Sequence, residues 1–132
     1  MKKTILSLIA LTSTFSLINA NAAQVVRIYN QNTQYNSWVN YQACLRDVKN
    51  KPAATCFYHV YHVIVKEGKK YADIKLPDAA DYAKVLNAYE YNNDQGQVAS
   101  GQFPGEEDCK VWPGLPVTLD DKNSDTIICV RS

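Results

Sequence analysis

The 132-residue chain has little of several features that would assign it to a class. Glycine and proline number five each, histidine two, and the 14 Lys and Arg residues exceed the 13 Asp and Glu residues by only one. So little glycine and proline excludes a collagen-like or low-complexity chain. A net charge of +1 gives no electrostatic reason to expect a nucleic-acid partner. The apolar fraction of 46% is enough for a hydrophobic core and argues against disorder.

Long apolar runs are also scarce, and the one that exists stands at the N-terminus. The positive start Met1-Lys2-Lys3 precedes apolar residues from Ile5 to Ile18, and the small-residue box Ala20-Asn21-Ala22 follows. This order predicts a cleaved bacterial-type export signal over residues 1–22 and one mature domain over residues 23–132. The mature domain is then periplasmic or secreted and has no membrane span. An N-terminal anchor helix is the alternative interpretation of the first segment.

The four cysteines, Cys44, Cys56, Cys109 and Cys129, all lie in the mature domain. An even number of cysteines in a small exported domain predicts disulfides, and four cysteines allow three pairings. Loop-closure entropy favours the near neighbours, Cys44–Cys56 and Cys109–Cys129. No two cysteines have the close spacing of a zinc site or of a thiol oxidoreductase motif.

Alternating apolar and polar residues predict short strands through most of the mature domain. The predicted strands are Val25–Asn30, Trp38–Leu45, Cys56–Lys66, Tyr71–Leu76, Val117–Leu119 and Thr126–Val130. Glu67-Gly68-Lys69 is expected to form a hairpin turn between the third and fourth of these strands. The prediction is an all-β fold, a small antiparallel β-sandwich, for which an immunoglobulin-like architecture is one option.

Residues 78–91 fit two different structures. The turn cluster Asn92–Gly96 separates Tyr82–Tyr91 from Gln97–Phe103, and this arrangement favours a β-hairpin. The alternative is a short helix at 78–89 that begins at an aspartate cap, because the apolar residues there also have helical spacing. In that case the fold would be α+β.

Residues that carry catalysis or bind metals are sparse. His59 and His62 are three positions apart in a predicted strand, so their side chains are expected on opposite faces and not around one metal ion. The segment that begins at Asp121 starts like a calcium loop, but Thr126 stands where that motif requires glycine. The chain also lacks the G-x-S-x-G motif of serine hydrolases. We therefore predict no catalytic residue, no metal site and no cofactor.

The predicted strand at 57–66 has two rows of side chains, and both rows are largely apolar. One of these rows consists of Tyr58, Val60, His62 and Ile64. A domain of this size builds two layers, so only one row belongs to its core. Unless a local element such as the alternative helix covers it, this row is predicted to be exposed as a partner-binding or self-association surface.

Several residues between 100 and 119 resemble the motif region of bacterial lysozyme inhibitors of the C type. They are Ser100-Gly101-Gln102-Phe103, Trp112, Gly114 and Leu119, with Pro113 where a basic residue is expected after the tryptophan. The resemblance by itself assigns no function. The leading hypothesis is a non-catalytic protein that binds a macromolecule outside the cytoplasm. The alternatives are an inhibitor of a hydrolase, either a lysozyme or a protease, that projects the loop Ser100–Asp108, and a small hydrolase.

Overall fold

The structure is a computed structural model that describes residues 24–46, 55–77 and 79–132. The predicted export signal and its cleavage site lie outside the described residues. Within the described ranges every regular element is a β-strand, so the all-β prediction is confirmed. The strands are β1 (Val25–Asn30), β2 (Asn36–Leu45), β3 (Thr55–Cys56), β4 (Tyr61–Val65), β5 (Tyr71–Lys75), β6 (Tyr82–Asn92), β7 (Gly96–Gln102), β8 (Lys110–Val111), β9 (Val117–Asp120) and β10 (Ile128–Arg131).

The strands form two sheets that pack face to face, as the predicted sandwich requires. The smaller sheet has the order β10-β9-β1-β5. The larger sheet has the order β3-β2-β6-β7, with β4 also beside β2 and β8 also beside β6. Strand pairing is antiparallel except for the parallel pair of β1 and β9.

The core lies between the inner faces of the two sheets. In β2 every second residue is buried, and Val39 and Ala43 have no exposed surface. From the smaller sheet, Ile28 of β1 and Leu119 of β9 belong to the same hydrophobic cluster. This two-residue period follows from the pleat of a strand, which sends successive side chains to opposite faces.

Tyr82–Asn92 form the strand β6, so the alternative helix at 78–89 is wrong. The strand β6 lies between β2 on one side and β7 and β8 on the other, so its backbone groups are paired in the middle of the larger sheet. A helix there would leave β2 without its longest neighbour. The favoured hairpin is confirmed, since β6 and β7 are antiparallel and are joined by a turn that ends at Gly96.

The predicted strand at 56–66 is broken into β3 and β4. Cys44 pairs with Cys56, and an unbroken ladder from that pair would place Tyr41 opposite His59. The structure instead pairs Tyr41 with Tyr61. Two extra residues therefore have to leave the ladder, and this displacement accounts for the irregular segment at 57–60.

The turn at Glu67-Gly68-Lys69 exists, but it does not close a paired hairpin. The Lys69 backbone N–H donates to the Lys66 carbonyl at 3.0 Å, and Gly68 has a φ of 81°, which favours glycine. However, β4 pairs with β2, whereas β5 pairs with β1 in the other sheet. The turn therefore carries the chain from one layer to the other.

Both predicted disulfides are confirmed. Cys44–Cys56 joins the neighbouring strands β2 and β3, and Cys109–Cys129 joins the residue before β8 to β10 in the other sheet. Such bonds suggest an oxidising environment outside the cytoplasm. The part of the chain that the structure describes contains no helix with the length and apolarity of a membrane span.

Candidate functional site

The outer face of the larger sheet carries two rows of side chains that cross β4, β2, β6 and β7. Residues that lie directly opposite each other in adjacent strands share a face, so the pairing register defines the rows. The first row is Ile64, Trp38, Tyr89 and Ser100, and the second is His62, Asn40, Asn87 and Gln102. We call these eight residues the platform. Each of them is exposed or half-buried.

The aromatic part of the platform is organised around Trp38. The imidazole of His62 stacks on its indole, with the ring centroids 4.1 Å apart and an interplanar angle of 11°. The Trp38 Nε1–H donates to Asn40 Oδ1 at 2.8 Å. The indole is therefore held by one ring contact and one hydrogen bond, which restricts its rotation. Tyr89 lies opposite Trp38 on the neighbouring strand β6, at the edge of β2 that does not pair with β4.

The second row of the platform is built mainly from side-chain amides. Asn40 Nδ2 donates to Asn87 Oδ1 at 2.7 Å, and Gln102 Nε2 donates to the Tyr89 hydroxyl at 3.4 Å. The first bond uses the oxygen of the Asn87 amide, so the group that Asn87 can offer a ligand is its NH₂ donor. Gln102 likewise retains its carbonyl oxygen as an acceptor. The row thus presents both donors and acceptors.

Formal charge is missing from the platform. None of its eight side chains is Lys, Arg, Asp or Glu. Lys84, on the same strand as Asn87, is buried, and its Nζ donates to the carbonyls of Val85 at 3.0 Å and Phe103 at 2.7 Å. Burial lowers the pKa of Lys84. Its ammonium group is therefore engaged by backbone oxygens next to the platform.

A shallow cleft adjoins the platform where the loop after β7 returns over the sheet. The platform residues Asn87 and Gln102 also line the cleft. Its other lining residues include Gln42, Pro104 and Glu106. The cleft thus extends the amide row toward this loop. Glu106 is its exposed acidic residue.

The structure brings two of the four predicted surface residues onto the platform. His62 and Ile64 lie on β4 with the platform, whereas Tyr58 and Val60 belong to the irregular segment at 57–60. Tyr58 is 99% exposed and Val60 is 48% exposed. The role of this row in binding stays a prediction.

The other six platform residues are not in the predicted row on strand 57–66. Ser100 and Gln102 belong to the segment Ser100–Asp108, which the inhibitor hypothesis treats as a projecting loop, but both lie in strand β7. A signal for two of the six is present in β2, where Trp38 and Asn40 alternate with the buried Val39 and Tyr41. The contributions of β6 and β7 depend on the strand order, which no local pattern gives.

The two histidines contact aromatic rings. His59 lies edge-on to Tyr61 with centroids 4.3 Å apart, and His62 stacks on Trp38. In residues 24–46, 55–77 and 79–132, no three His, Cys, Asp or Glu side chains are grouped so that they could hold a metal ion. At the calcium-like segment, Asp121 Oδ1 accepts the Asn123 backbone N–H at 2.9 Å, and this bond closes a turn.

A buried polar cluster lies on the inner side of the larger sheet. Glu90 of β6 is 2% exposed, and its carboxyl group shares a hydrogen bond with that of Asp121. Asn32 Nδ2 donates to Asp121 Oδ2 at 2.9 Å. Within the described part of the chain, Glu90 Oε2, Ser37 Oγ and Asn30 Nδ2 are buried without a hydrogen-bond partner.

The two carboxyl groups of this cluster have opposite pKa shifts. Burial, the hydrogen bond to Asp121 and the negative charges of Asp121 and Asp120 raise the pKa of Glu90 to about 8. Burial alone would also raise the pKa of Asp121, but hydrogen bonds from Asn32 and from the Asn123 backbone hold it below its ordinary value. At neutral pH the pair therefore holds one proton, on Glu90.

Three of the residues that carry the resemblance to lysozyme inhibitors, Gly101, Phe103 and Trp112, have packing roles in this fold. A side chain at Gly101 would place its Cβ 2.3 Å from the Ile127 carbonyl oxygen, so glycine is required by that close approach. Trp112 stacks on Tyr82 with centroids 4.4 Å apart, and Phe103 is in the core. These roles explain the residue types without an inhibitory contact. The hydrolase-inhibitor hypothesis stays a prediction.

Comparison with known proteins gives no match: no family model, no curated protein sequence and no solved structure is similar to this chain.

Proposed function

We propose that this chain is an exported, non-catalytic binding protein and that the platform is its ligand-binding surface. The observation that carries the proposal is the chemistry of the platform. It combines an indole, a phenol, an imidazole and three amides on the outer face of a sheet whose inner face forms the core. Tyr and Trp supply large contact areas at a low cost in conformational entropy, and they are enriched at recognition surfaces.

The positions of the titratable groups favour binding over catalysis. The carboxyl pair with shifted pKa values, Glu90 and Asp121, is buried on the inner side of the larger sheet, away from the platform. The platform itself contributes two titratable groups: the imidazole of His62, which stacks on Trp38, and the phenol of Tyr89, which accepts a hydrogen bond from Gln102. Neither row contains a carboxyl group that could act with them. General acid–base catalysis needs a titratable group within reach of the substrate proton. A binding surface needs none.

Export is supported by the two disulfides together with the predicted signal at residues 1–22. The intact mass of exported material would give the mature N-terminus, which we predict to be Ala23. A full-length mass that includes Met1 would contradict cleavage.

A comparative capture experiment tests the use of the platform. The wild-type protein, a Trp38→Ala variant and a Tyr71→Ala variant are immobilised and exposed to culture fluid and to host extract. Tyr71 is a matched control because it is an exposed aromatic residue on the outer face of the smaller sheet. We expect the wild type and Tyr71→Ala to retain a component, protein or carbohydrate, that Trp38→Ala loses. If all three proteins retain a component equally, the platform is not the binding surface. If the protein cleaves the component it captures, the proposal of a non-catalytic protein is wrong.

A further inference from the structure

We propose that the ligand of the platform is a neutral, extended oligosaccharide. This inference rests on the proposed function, because it assigns a ligand class to the same surface. It follows from three properties of the platform: its lack of charge, its combination of aromatic rings with amides, and its open, multi-strand shape.

The charge pattern selects an uncharged ligand. Recognition of carboxylate, sulfate or phosphate groups uses Arg or Lys in charge-assisted hydrogen bonds. The platform has neither, and the neighbouring Lys84 is buried with its ammonium bonded to two backbone carbonyls. An anionic ligand would lose its hydration here without gaining a cationic partner, and a cationic ligand would find no acidic group in either row.

The aromatic row suits the apolar face of a sugar ring. Trp38 and Tyr89 lie opposite each other on adjacent strands, and Trp38 is fixed by His62 and Asn40. The faces of aromatic rings carry partial negative charge. They therefore attract the weakly positive C–H groups that line one face of a pyranose ring. The rings concerned are Tyr89 and the face of Trp38 that does not stack on His62. A ring that is already fixed loses little conformational entropy when the ligand binds.

The amide row suits hydroxyl groups. A hydroxyl group donates one hydrogen bond and accepts up to two, and a side-chain amide offers both functions. Asn87 offers its NH₂ group and Gln102 its carbonyl oxygen, and their positions are adjacent across β6 and β7. Covering these groups with an apolar peptide surface would leave them buried and unpaired, which is costly. A polyhydroxylated ligand avoids that cost.

The shape of the platform suits a chain of several sugars. Its rows cross four strands, which at about 4.8 Å between neighbours corresponds to a length of about 14 Å. At Asn87 and Gln102 the platform continues into the cleft, whose lining includes Gln42, Pro104, the buried Lys84 and the exposed Glu106. The lack of charge is therefore a property of the eight platform residues and not of the cleft. All eight are exposed or half-buried, so they form a surface and not an enclosed pocket. An extended oligosaccharide can contact both the rings and the amides at once.

Calorimetric titration of the disulfide-bonded protein with defined oligosaccharides tests this inference. The probes are cellohexaose, chitohexaose and maltohexaose as neutral chains, and hexagalacturonate as an acidic chain. We expect at least one neutral chain to bind and hexagalacturonate not to bind. Trp38→Ala should weaken binding at least about tenfold, and Asn87→Ala about three- to tenfold. Trp38→Phe should recover part of the loss because it restores a ring, and Tyr71→Ala should bind like the wild type.

The outcomes separate this inference from the proposed function. If no neutral chain binds at about 1 mM, or if Trp38→Ala binds as well as the wild type, the oligosaccharide assignment is wrong. If, in addition, the capture experiment shows a protein component that depends on Trp38, the platform is a binding surface for a protein, and the proposed function stands. If nothing depends on Trp38, both are wrong. Circular dichroism of each variant verifies that a loss of binding is not a loss of fold.

Discussion

The outer faces of the two sheets differ in what their side chains bind. On the smaller sheet, Arg27 Nε donates to Asp73 Oδ1 at 2.7 Å, and its guanidinium lies 3.8 Å from the centroid of Tyr71. The hydrogen bond from Arg27 lowers the pKa of Asp73. The charges of Arg27 and Asp73 are therefore satisfied by each other. On the platform, Asn87 and Gln102 keep hydrogen-bonding capacity that no residue described by the structure uses.

This difference indicates which face is available to a ligand. Both faces carry exposed aromatic side chains, so aromatic content alone does not distinguish them. The distinguishing feature is the state of the polar groups beside the rings. A ligand at the smaller sheet would compete with an existing ion pair, whereas a ligand at the platform would complete hydrogen bonds that are open. Four predictions test parts of this comparison.

The largest expected effect comes from substitutions on the two opposite faces of strand β4. Ile64 lies on the platform, and the next residue, Val65, is fully buried. Val65→Asp places an unpaired charge in the core and should lower the free energy of unfolding by more than about 4 kcal/mol, enough to unfold the domain. Ile64→Asp should cost only about 1 kcal/mol and abolish binding at the platform. Urea unfolding followed by tryptophan fluorescence measures both. An Ile64→Asp variant that is unfolded would show that this row belongs to the core.

The next prediction compares the disulfide that joins the two sheets with the disulfide that lies within one sheet. Cys109 and Cys129 are 20 residues apart and link the residue before β8 to β10, whereas Cys44 and Cys56 are 12 residues apart and link neighbouring strands. Replacing the first pair by serine should cost about 3 kcal/mol, and replacing the second a few tenths of a kcal/mol less, because it closes a shorter loop. Denaturant midpoints of the two double variants test the order. The reverse order would show that strain or residual structure, and not loop length, controls the stability.

The local sequence pattern predicted the layers and the disulfides of this fold. The alternation of Val26 and Ile28 with Arg27 and Tyr29 is sufficient to identify β1, because one face of a sandwich strand is buried. The cysteine pairing followed from loop length. The break between β3 and β4 was not predictable in this way. Residues 57–60 are Phe, Tyr, His and Val, and such a run has the composition of a continuous strand. The break depends on the register between β2 and β4.

The platform was predictable only in part for the same reason. His62 and Ile64 were found because they lie in a single strand with two apolar rows. Asn87 and Gln102 come from strands that no local pattern places beside Asn40, and their selection requires the register of the whole sheet. Glu90 was missed because a glutamate is usually exposed. Its burial follows from its position on the inner face of β6, opposite the buried Ser37.

A smaller effect concerns the buried carboxyl groups of Glu90 and Asp121 on the inner side of the larger sheet. The pKa of Glu90 is about 8 in the folded protein and about 4.5 in the unfolded chain. The folded state therefore keeps a proton that the unfolded state has released, and the contribution of Glu90 to stability falls as the pH rises from about 4.5 to about 8. Asp121, whose pKa is lowered, has the opposite effect and loses its contribution only in acid.

Glu90→Gln should remove the neutral-range part of this dependence. Glutamine keeps the size and a hydrogen-bond donor for Asp121 but does not ionise. At pH 8 the variant should be more stable than the wild type by about 1–3 kcal/mol, and at pH 5 the two should be nearly equal. Thermal unfolding across this pH range measures the difference. Parallel pH profiles for the two proteins would contradict the assignment of the proton to Glu90.

The smallest expected effect concerns the outer face of the smaller sheet. The side chains of Arg27 and Asp73 are 40% and 42% exposed. Ion pairs that are this exposed contribute little to the free energy of unfolding. The contact of Arg27 with Tyr71 also adds little at an exposed site. Arg27→Ala should therefore lower the free energy of unfolding less than any of the changes above, with part of the loss removed by high salt. It should leave binding at the platform unchanged, because the core separates the two faces. If Arg27→Ala weakens ligand binding as much as Trp38→Ala does, the ligand contacts the smaller sheet, and the contrast between open amides and satisfied charges does not identify the binding face.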